Sequence, residues 1–227
     1  MSLDAGRAIA LSLQVAAWCT AVSLPLAIAL GWWLARREFR GKSVVSALVF
    51  APMVLPPVVT GMLLLSLLGT RGLLGPWLAA LGIEIPFTAA AAIIAALVVG
   101  LPLFVMSTRA AFAAIDPAYE ELAASLGDAP WRVLWRVSLP LALPGIAGGA
   151  ALTFARALGE FGATIVLAGN TDETRTIAIA IYTLLDRPDG RGDAAALAWA
   201  SIAISVLALG GYELLVRWQR RRLELTR

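Results

Sequence analysis

The stretch ELAASLGDAPWRVLWRVSLP, residues 121–140, mixes carboxylates and arginines with two tryptophans around an internal glycine, in a chain whose other long segments are apolar. Asp116-Pro117, just ahead of it, is a helix start: the carboxylate can accept from free amides of the first turn, where proline needs no donor. From that start Tyr119, Leu122, Ala123 and Leu126 share one face, while Glu120, Glu121 and Ala124 point elsewhere. Gly127 suits the position just past a helix end, where a left-handed backbone is needed. A second short helix is expected from Asp128-Ala129-Pro130, with Trp131, Leu134 and Trp135 together and Arg132 and Arg136 on a different face. The spacing thus predicts a knuckle of two short amphipathic helices joined at a glycine. Two uses fit it: a surface on which another protein docks, or a pair of helices lying on a membrane.

The flanking sequence supplies the membrane. Of 227 residues, 60% are hydrophobic and 15% charged, more apolar surface than a soluble domain of this size can bury. Residues 8–35, 43–70, 87–108, 137–155 and 194–212 carry no charge. Each run approaches or exceeds the roughly 18–20 residues that cross about 30 Å of hydrocarbon at about 1.5 Å per residue. The fold class is therefore an all-α polytopic membrane protein with five transmembrane helices. The expected spans are about 8–35, 44–69, 87–109, 140–168 and 194–216, in one domain over 1–227 with a connecting loop at 113–139. The first run is too long for a signal-peptide core and has no cleavage-like edge beyond it, so it is expected to stay as a helix.

Alternating the connections puts Arg36, Arg37, Arg40, Lys42, Arg109, Arg132, Arg136, Arg217, Arg220, Arg221, Arg222 and Arg227 on one side. The other side receives Arg7, Arg71, Arg175, Arg187 and Arg191. Basic residues accumulate in the cytoplasm, so the amino terminus is expected outside, with the 113–139 loop and the carboxyl tail inside. Residues 72–82 are too short to span and are expected as an interfacial turn anchored by Trp77. Residues 175–185 are expected as a short helix along the outer surface, with Ile177, Ile181, Leu184 and Leu185 on one face. Pro25, Pro52, Pro56, Pro57, Pro102 and Pro144 fall inside spans, and the adjacent Pro56-Pro57 pair predicts a broken helix beside a cavity.

Chemistry is constrained by what is missing. There is no histidine, and the lone Cys19 lies inside the first apolar run, so neither a disulfide within the chain nor a metal site is expected, and no cofactor. Gly41-Lys42-Ser43 ends like a phosphate-binding loop, but position 36 is arginine and the segment follows a membrane helix, so no nucleotide site is expected. No nucleophile–base pair can be nominated in the spans, which ranks an embedded enzyme last. Arg156 and Glu160, one helical turn apart in the fourth span, fit either a self-neutralising packing pair or a lining of a translocation path near an outer gate. Ala147, Ala151, Ala155, Gly159 and Ala163 form a stripe of small residues, with Gly145 and Gly149 beside it, that would let helices approach closely. Five spans make a small bundle, and a path for a polar solute lies most naturally between two copies, which predicts a symmetric homodimer.

Glu121-Leu122-Ala123, then Gly127 after three residues, then Val137-Ser138-Leu139-Pro140 after nine more, resemble the signature E-A-A, G, I-x-L-P of importer permeases of the ATP-binding-cassette superfamily. Leu122 replaces the middle alanine and Val137 the isoleucine. PLALPGIAGGAALTFARALGEFGAT after it, ARREFRGKS after the first span and APMVLPPVVTG in the second resemble the molybdate branch of that superfamily, and its sulfate and tungstate relatives somewhat less. The resemblance extends over essentially the whole chain. It implies a coupling helix over 117–127, with Tyr119, Glu120, Glu121, Leu122, Ala123, Ala124, Leu126 and Gly127 against one of two separate ATPase subunits. It also implies a translocation path including Pro56, Pro57, Thr60, Arg156, Glu160 and Phe161, an external solute-binding protein that delivers the oxyanion, and a bacterial inner (plasma) membrane location. No nucleic-acid partner is implied. Molybdate is the expected cargo, with tungstate or sulfate as the alternative within the class. A secondary transporter using Arg156-Glu160 as a relay is the alternative outside it, and it gives no reason for the 117–140 knuckle.

Overall fold

The computed structural model describes residues 4–224, with side chains as far as Leu214, and is built from helices. The order is α1 (Ala5–Arg36), α2 (Lys42–Val54), α3 (Pro57–Leu68), α4 (Gly75–Ala80), α5 (Ala89–Ala113), α6 (Pro117–Ser125), α7 (Pro130–Val133), a π-helical turn (Leu134–Ser138), α8 (Leu139–Leu158), α9 (Gly162–Leu167), α10 (Ile177–Leu185) and α11 (Arg191–Glu224). Four helical rods are long and apolar enough to cross a membrane: α1, α5, the continuous run Pro130–Leu158, and α11 over Arg191–Leu214. A fifth crossing is made by α2 and α3 together, bent by 113° at Leu55-Pro56.

Local chemistry accounts for the ends. Asp4 and Thr88 cap α1 and α5 through side-chain oxygens that accept from Arg7 N and Ala91 N. After α1 the chain reverses within five residues, with the Trp33 and Phe39 rings stacked at 4.4 Å and Gly41 in the left-handed region at φ 94°. Pro25, Pro52, Pro102 and Pro144 are carried inside helices that run on through them.

Three apolar layers stack along the bundle. At one end, called distal here, Ala8 of α1 meets Ile177, Ala180 and Leu184 of α10 and Ala194 and Leu197 of α11. In the middle, Val15 to Cys19 of α1 pack with Ala91 to Val99 of α5, Ala157 and Leu158 of α8, Leu167 of α9, and Leu64 and Leu65 of α3. At the other, proximal end, Ala27 and Leu34 of α1 pack with Phe104 and Phe112 of α5, Ile146 of α8, and Val45, Val49 and Phe50 of α2. Because α2 belongs to the proximal layer and α3 to the middle one, the bent pair does pass along the bundle. Each rod then runs opposite to the one before it. The 37–41 turn, α6 and the far end of α11 come out proximally, residue 4 and α10 lie distally, and α9 belongs to the middle layer.

Small residues set the close crossings. A Cβ on Gly149 would meet the Phe104 ring at 2.7 Å, and one on Gly145 would collide with the Ala111 methyl, so this pair lets α8 lie against α5. Of the neighbouring stripe, Ala163 lets α9 approach Gly61 of α3, and the residues on α8 do not act in the same way. Ala147 is exposed and Ala151 and Ala155 are half-buried, while Gly148, on another side, accepts the ring of Tyr212 from α11. The Tyr212 hydroxyl donates to the Pro144 carbonyl at 3.2 Å.

The second span is broken at Leu55-Pro56, as the proline pair predicts. Two expectations are revised. The fourth span begins at Pro130 rather than near 140, because the π turn joins α7 to α8 without a break, and it stops at Leu158 instead of reaching 168. The knuckle is consequently one free helix, α6, beside the foot of a long rod, not two free helices. Residues 177–185 are helical, and Ile177, Ile181 and Leu184 of the expected face pack in the distal layer, while Leu185 is 59% exposed. The Ser12 hydroxyl accepts from Ile177 N at 2.7 Å, which pins that helix to α1. The basic residue Arg227 lies outside the described residues, as do the side chains of Arg217, Arg220, Arg221 and Arg222.

A Cβ on Gly61 of α3 would sit 2.9 Å from the Cα and carbonyl oxygen of Ala163 in α9, backbone that cannot step aside. Gly61→Leu is expected to destabilise the purified protein by about 1–3 kcal/mol, measured as an earlier thermal loss of the monodisperse peak. Gly192→Leu, which meets nothing, is the control.

Candidate functional site

The residues singled out from the sequence fall into two groups, one at the proximal end of the bundle and one beside its middle layer. Proximally, α6 starts as its sequence dictates, with Asp116 Oδ1 accepting from Ala118 N at 2.9 Å and Pro117 in the first turn. It ends in a left-handed Gly127 at φ 91°. There Asp128 N donates to Ala123 O at 3.1 Å and Gly127 N to Ala124 O at 3.0 Å, the paired bonds of a glycine-terminated helix. Ala123 is the buried residue of this helix. Tyr119, Leu122 and Leu126 are 58%, 61% and 81% exposed, so the apolar face of α6 looks away from the bundle. Glu121 and Ala124 are exposed as well. Glu120 points the other way: its Oε1 accepts from the Arg36 guanidinium and from the Ser138 hydroxyl. Arg36 and Ser138 carried no individual signal in the sequence. Arg36 was one of a cluster of basic residues, and Ser138 stands at the unspecified position of the signature.

Beside the middle layer, the two helix breaks face one another. Pro57 opens α3 and Gly162 opens α9, and a Cβ on Gly162 would lie 2.8 Å from Pro57 Cβ. The broken backbone is satisfied locally. The Pro56 carbonyl accepts from Val59 N and Thr60 N, and the Phe161 carbonyl from Ile165 N. Thr60 is buried with its hydroxyl unpartnered. Glu160 is not inside a continuous span but in the break after α8. Only 3% exposed, it accepts from Arg156 Nη1 at 2.7 Å through one oxygen and from Ala163 N at 2.9 Å through the other. One carboxylate therefore closes α8 and starts α9. Arg156 is 37% exposed, and the Phe161 ring tilts against Tyr182 of α10 at 5.2 Å. Pro56 is exposed and Pro57 half-buried. The structure thus gathers Pro56, Pro57, Thr60, Glu160 and Phe161 with Arg156 around one crossing, and keeps them away from α6.

Sequence reasoning missed Gly61, Gly162 and Phe87. Phe87 has φ 63°, its N–H donates to the Leu167 carbonyl at the end of α9, and its ring lies against Gly169. Among the described residues no cluster of three or more Asp, Glu or Cys could hold a metal ion.

The model for the binding-protein-dependent transport system inner membrane component matches residues 27–222. The chain belongs to that family. It is a multi-pass inner-membrane protein with the importer-permease fold. It is 44% identical over 221 residues to the molybdenum transport system permease protein ModB of Escherichia coli (strain K12), covering 95% of each chain. To the protein of that name from Haemophilus influenzae it is 41% identical over 219 residues, covering 96% of this chain and 94% of the relative. In fold it matches a chain of a bacterial alginate ABC transporter crystallised with its alginate pentasaccharide-bound periplasmic protein, at a TM-score of 0.75, 20% identity, 93% of this chain and 77% of that one.

Removing Arg156 would strand a carboxylate with almost no access to water. Arg156→Met is expected to destabilise the protein by about 3–5 kcal/mol, and the double variant with Glu160→Gln, which keeps an oxygen for Ala163 N, to recover most of it. Chemical denaturation of the three proteins in one detergent gives the comparison.

Proposed function

We propose that this chain is the membrane-spanning permease of an importer powered by two separate ATP-binding-cassette ATPase subunits, and that it carries molybdate. The observation that carries the cargo is the likeness, across nearly the full length of both chains, to proteins named as molybdenum transport permeases. Tungstate and sulfate, of similar charge and shape, are the competing anions.

Two features support the motor arrangement. The helix α6 holds an apolar face away from the bundle, with Glu121 beside it, on a short, well-capped element. That is a surface for a groove in another protein. Arg36, Arg37, Arg40, Lys42, Arg132 and Arg136 cluster at the same end, which assigns it to the cytoplasm and the amino terminus to the outside. The chain has no nucleotide site in this reading, so the work of ATP hydrolysis enters through α6.

The path is assigned to the faces around the paired breaks, between two copies of the chain. Met53, Val54, Met62 and Leu63 are 55%, 85%, 58% and 57% exposed on α2 and α3. Large apolar residues flanking a break suit a surface closed by a second protomer. Arg156, half-exposed and already compensated by Glu160, attracts an oxyanion without holding it. An external binding protein delivers the anion to the distal end.

The test is reconstitution in liposomes with the ATPase and binding protein encoded alongside. ATP hydrolysis should rise with molybdate-loaded binding protein, and less or not at all with sulfate. Equal stimulation by sulfate would remove the molybdate assignment, and uptake without any ATPase would remove the motor arrangement. Leu122→Asp, on an exposed face, should leave the fold intact and abolish co-purification of the ATPase.

A further inference from the structure

Glu120 is the meeting point of three elements. Its Oε1 accepts from Arg36 Nε at 3.1 Å and Nη2 at 2.9 Å, and from Ser138 Oγ at 2.7 Å. The same Arg36 nitrogen lies 3.3 Å from the Ile115 carbonyl, to which it also donates, in the chain leading into α6. Arg36 is the last residue of α1, and Ser138 is the last residue of the π turn, buried at 1% exposure. The side chains of Arg36 and Glu120 are 15% and 23% exposed, so the pair is largely withdrawn from water, where charge-assisted bonds count for more.

Packing gives α6 little other support. Only Ala123 of the helix is buried. Beside it opens a cleft of about 370 Å³ lined by Trp32, Glu121, Asp128, Leu134 and Ser138 together with Glu120. A short helix flanked by an open cleft, and joined to the bundle through one apolar contact and one multiply bonded carboxylate, moves its anchors mainly through that carboxylate. One anchor is the end of α1. The other is a π turn, whose i→i+5 bond from Leu139 N to Leu134 O interrupts the regular ladder of the rod that leads to Arg156.

We infer that Arg36, Glu120 and Ser138 form a strut that passes displacements of α6 into α1 and the α8 rod, and that Arg36 and Glu120 are positioning residues for coupled transport. They lie behind the face offered to the ATPase, so they act on coupling and not on docking. The carboxylate that precedes the signature Glu121 is thus turned inward, while Glu121 is left outward for the partner. This inference rests on the transport reading of α6, and its test separates the two.

The full chain is reconstituted with its ATPase and binding protein, as wild type and as Arg36→Gln, Glu120→Gln and Arg36→Lys. The two glutamine variants should bring down the ATPase in wild-type proportion and hydrolyse ATP, while anion imported per ATP falls by about tenfold, the equivalent of one charge-assisted hydrogen bond. Arg36→Lys, which keeps the charge, should fall between them and wild type. In the purified permease alone, with Cys19→Ser, spin labels at Arg37→Cys and Ala118→Cys should give a narrow distance distribution that broadens in Arg36→Gln. Loss of the ATPase from the glutamine variants, an unchanged import-to-hydrolysis ratio, or an unchanged label distribution overturns the strut. A wild-type chain that takes up no ATPase overturns the transport reading instead, and the label measurement still decides the strut.

Discussion

In hydrocarbon a backbone amide or carbonyl without a partner costs several kcal/mol, so a helix can be broken at membrane depth only where something else satisfies it. This chain breaks two spans, at Leu55-Pro56 and at Gly159–Phe161, and meets the requirement in both places with its own atoms. Pro56 turns its carbonyl to two amides of α3, and Glu160 lends a carboxylate to α9. The two breaks are stacked, the Pro57 ring on Gly162 and Gly61 on the Ala163 backbone, with no room for a Cβ at either glycine. The middle apolar layer, the position of α9 and the burial of Glu160 all depend on that crossing. An intact second or fourth span would leave no room for it.

The proximal end obeys different rules. There α6 is held by capping, a left-handed glycine and a carboxylate bonded to α1 and the π turn. Its apolar side chains Tyr119, Leu122 and Leu126 are left outside the bundle. The long rod from Pro130 to Leu158 connects the two places, with Ser138 bonded to Glu120 of α6 and Arg156 beside the break that precedes α9.

What was legible in the sequence was local. Asp116-Pro117 and Gly127 act within one or two turns, and they delimited α6. Pro56-Pro57 removes donors wherever it is placed, so the break in the second span was readable. The break after Leu158 was not, because no proline marks it and Glu160 has the spacing of an intrahelical partner of Arg156. Tertiary contact with α3 decided it. Pro130 was read as the start of a second short helix, whereas the π turn lets the helix run on into the membrane. The apolar face of α10 was legible in Ile177, Ile181 and Leu184, whereas its partners, Ala8 of α1 and Ala194 and Leu197 of α11, were not. Arg36 meets Glu120 across 84 residues, a pairing that no spacing rule can find.

We propose that the α3–α9 crossing shifts when the path beside it opens. Cysteines at Met62, exposed on α3, and at Val166, half-buried on α9, can be joined by a short reducible thiol cross-linker in a Cys19→Ser background. Uptake by the reconstituted transporter should stop when the bond forms and return when it is reduced, with the ATPase still bound throughout. Undiminished uptake through a fully cross-linked protein would contradict the claim.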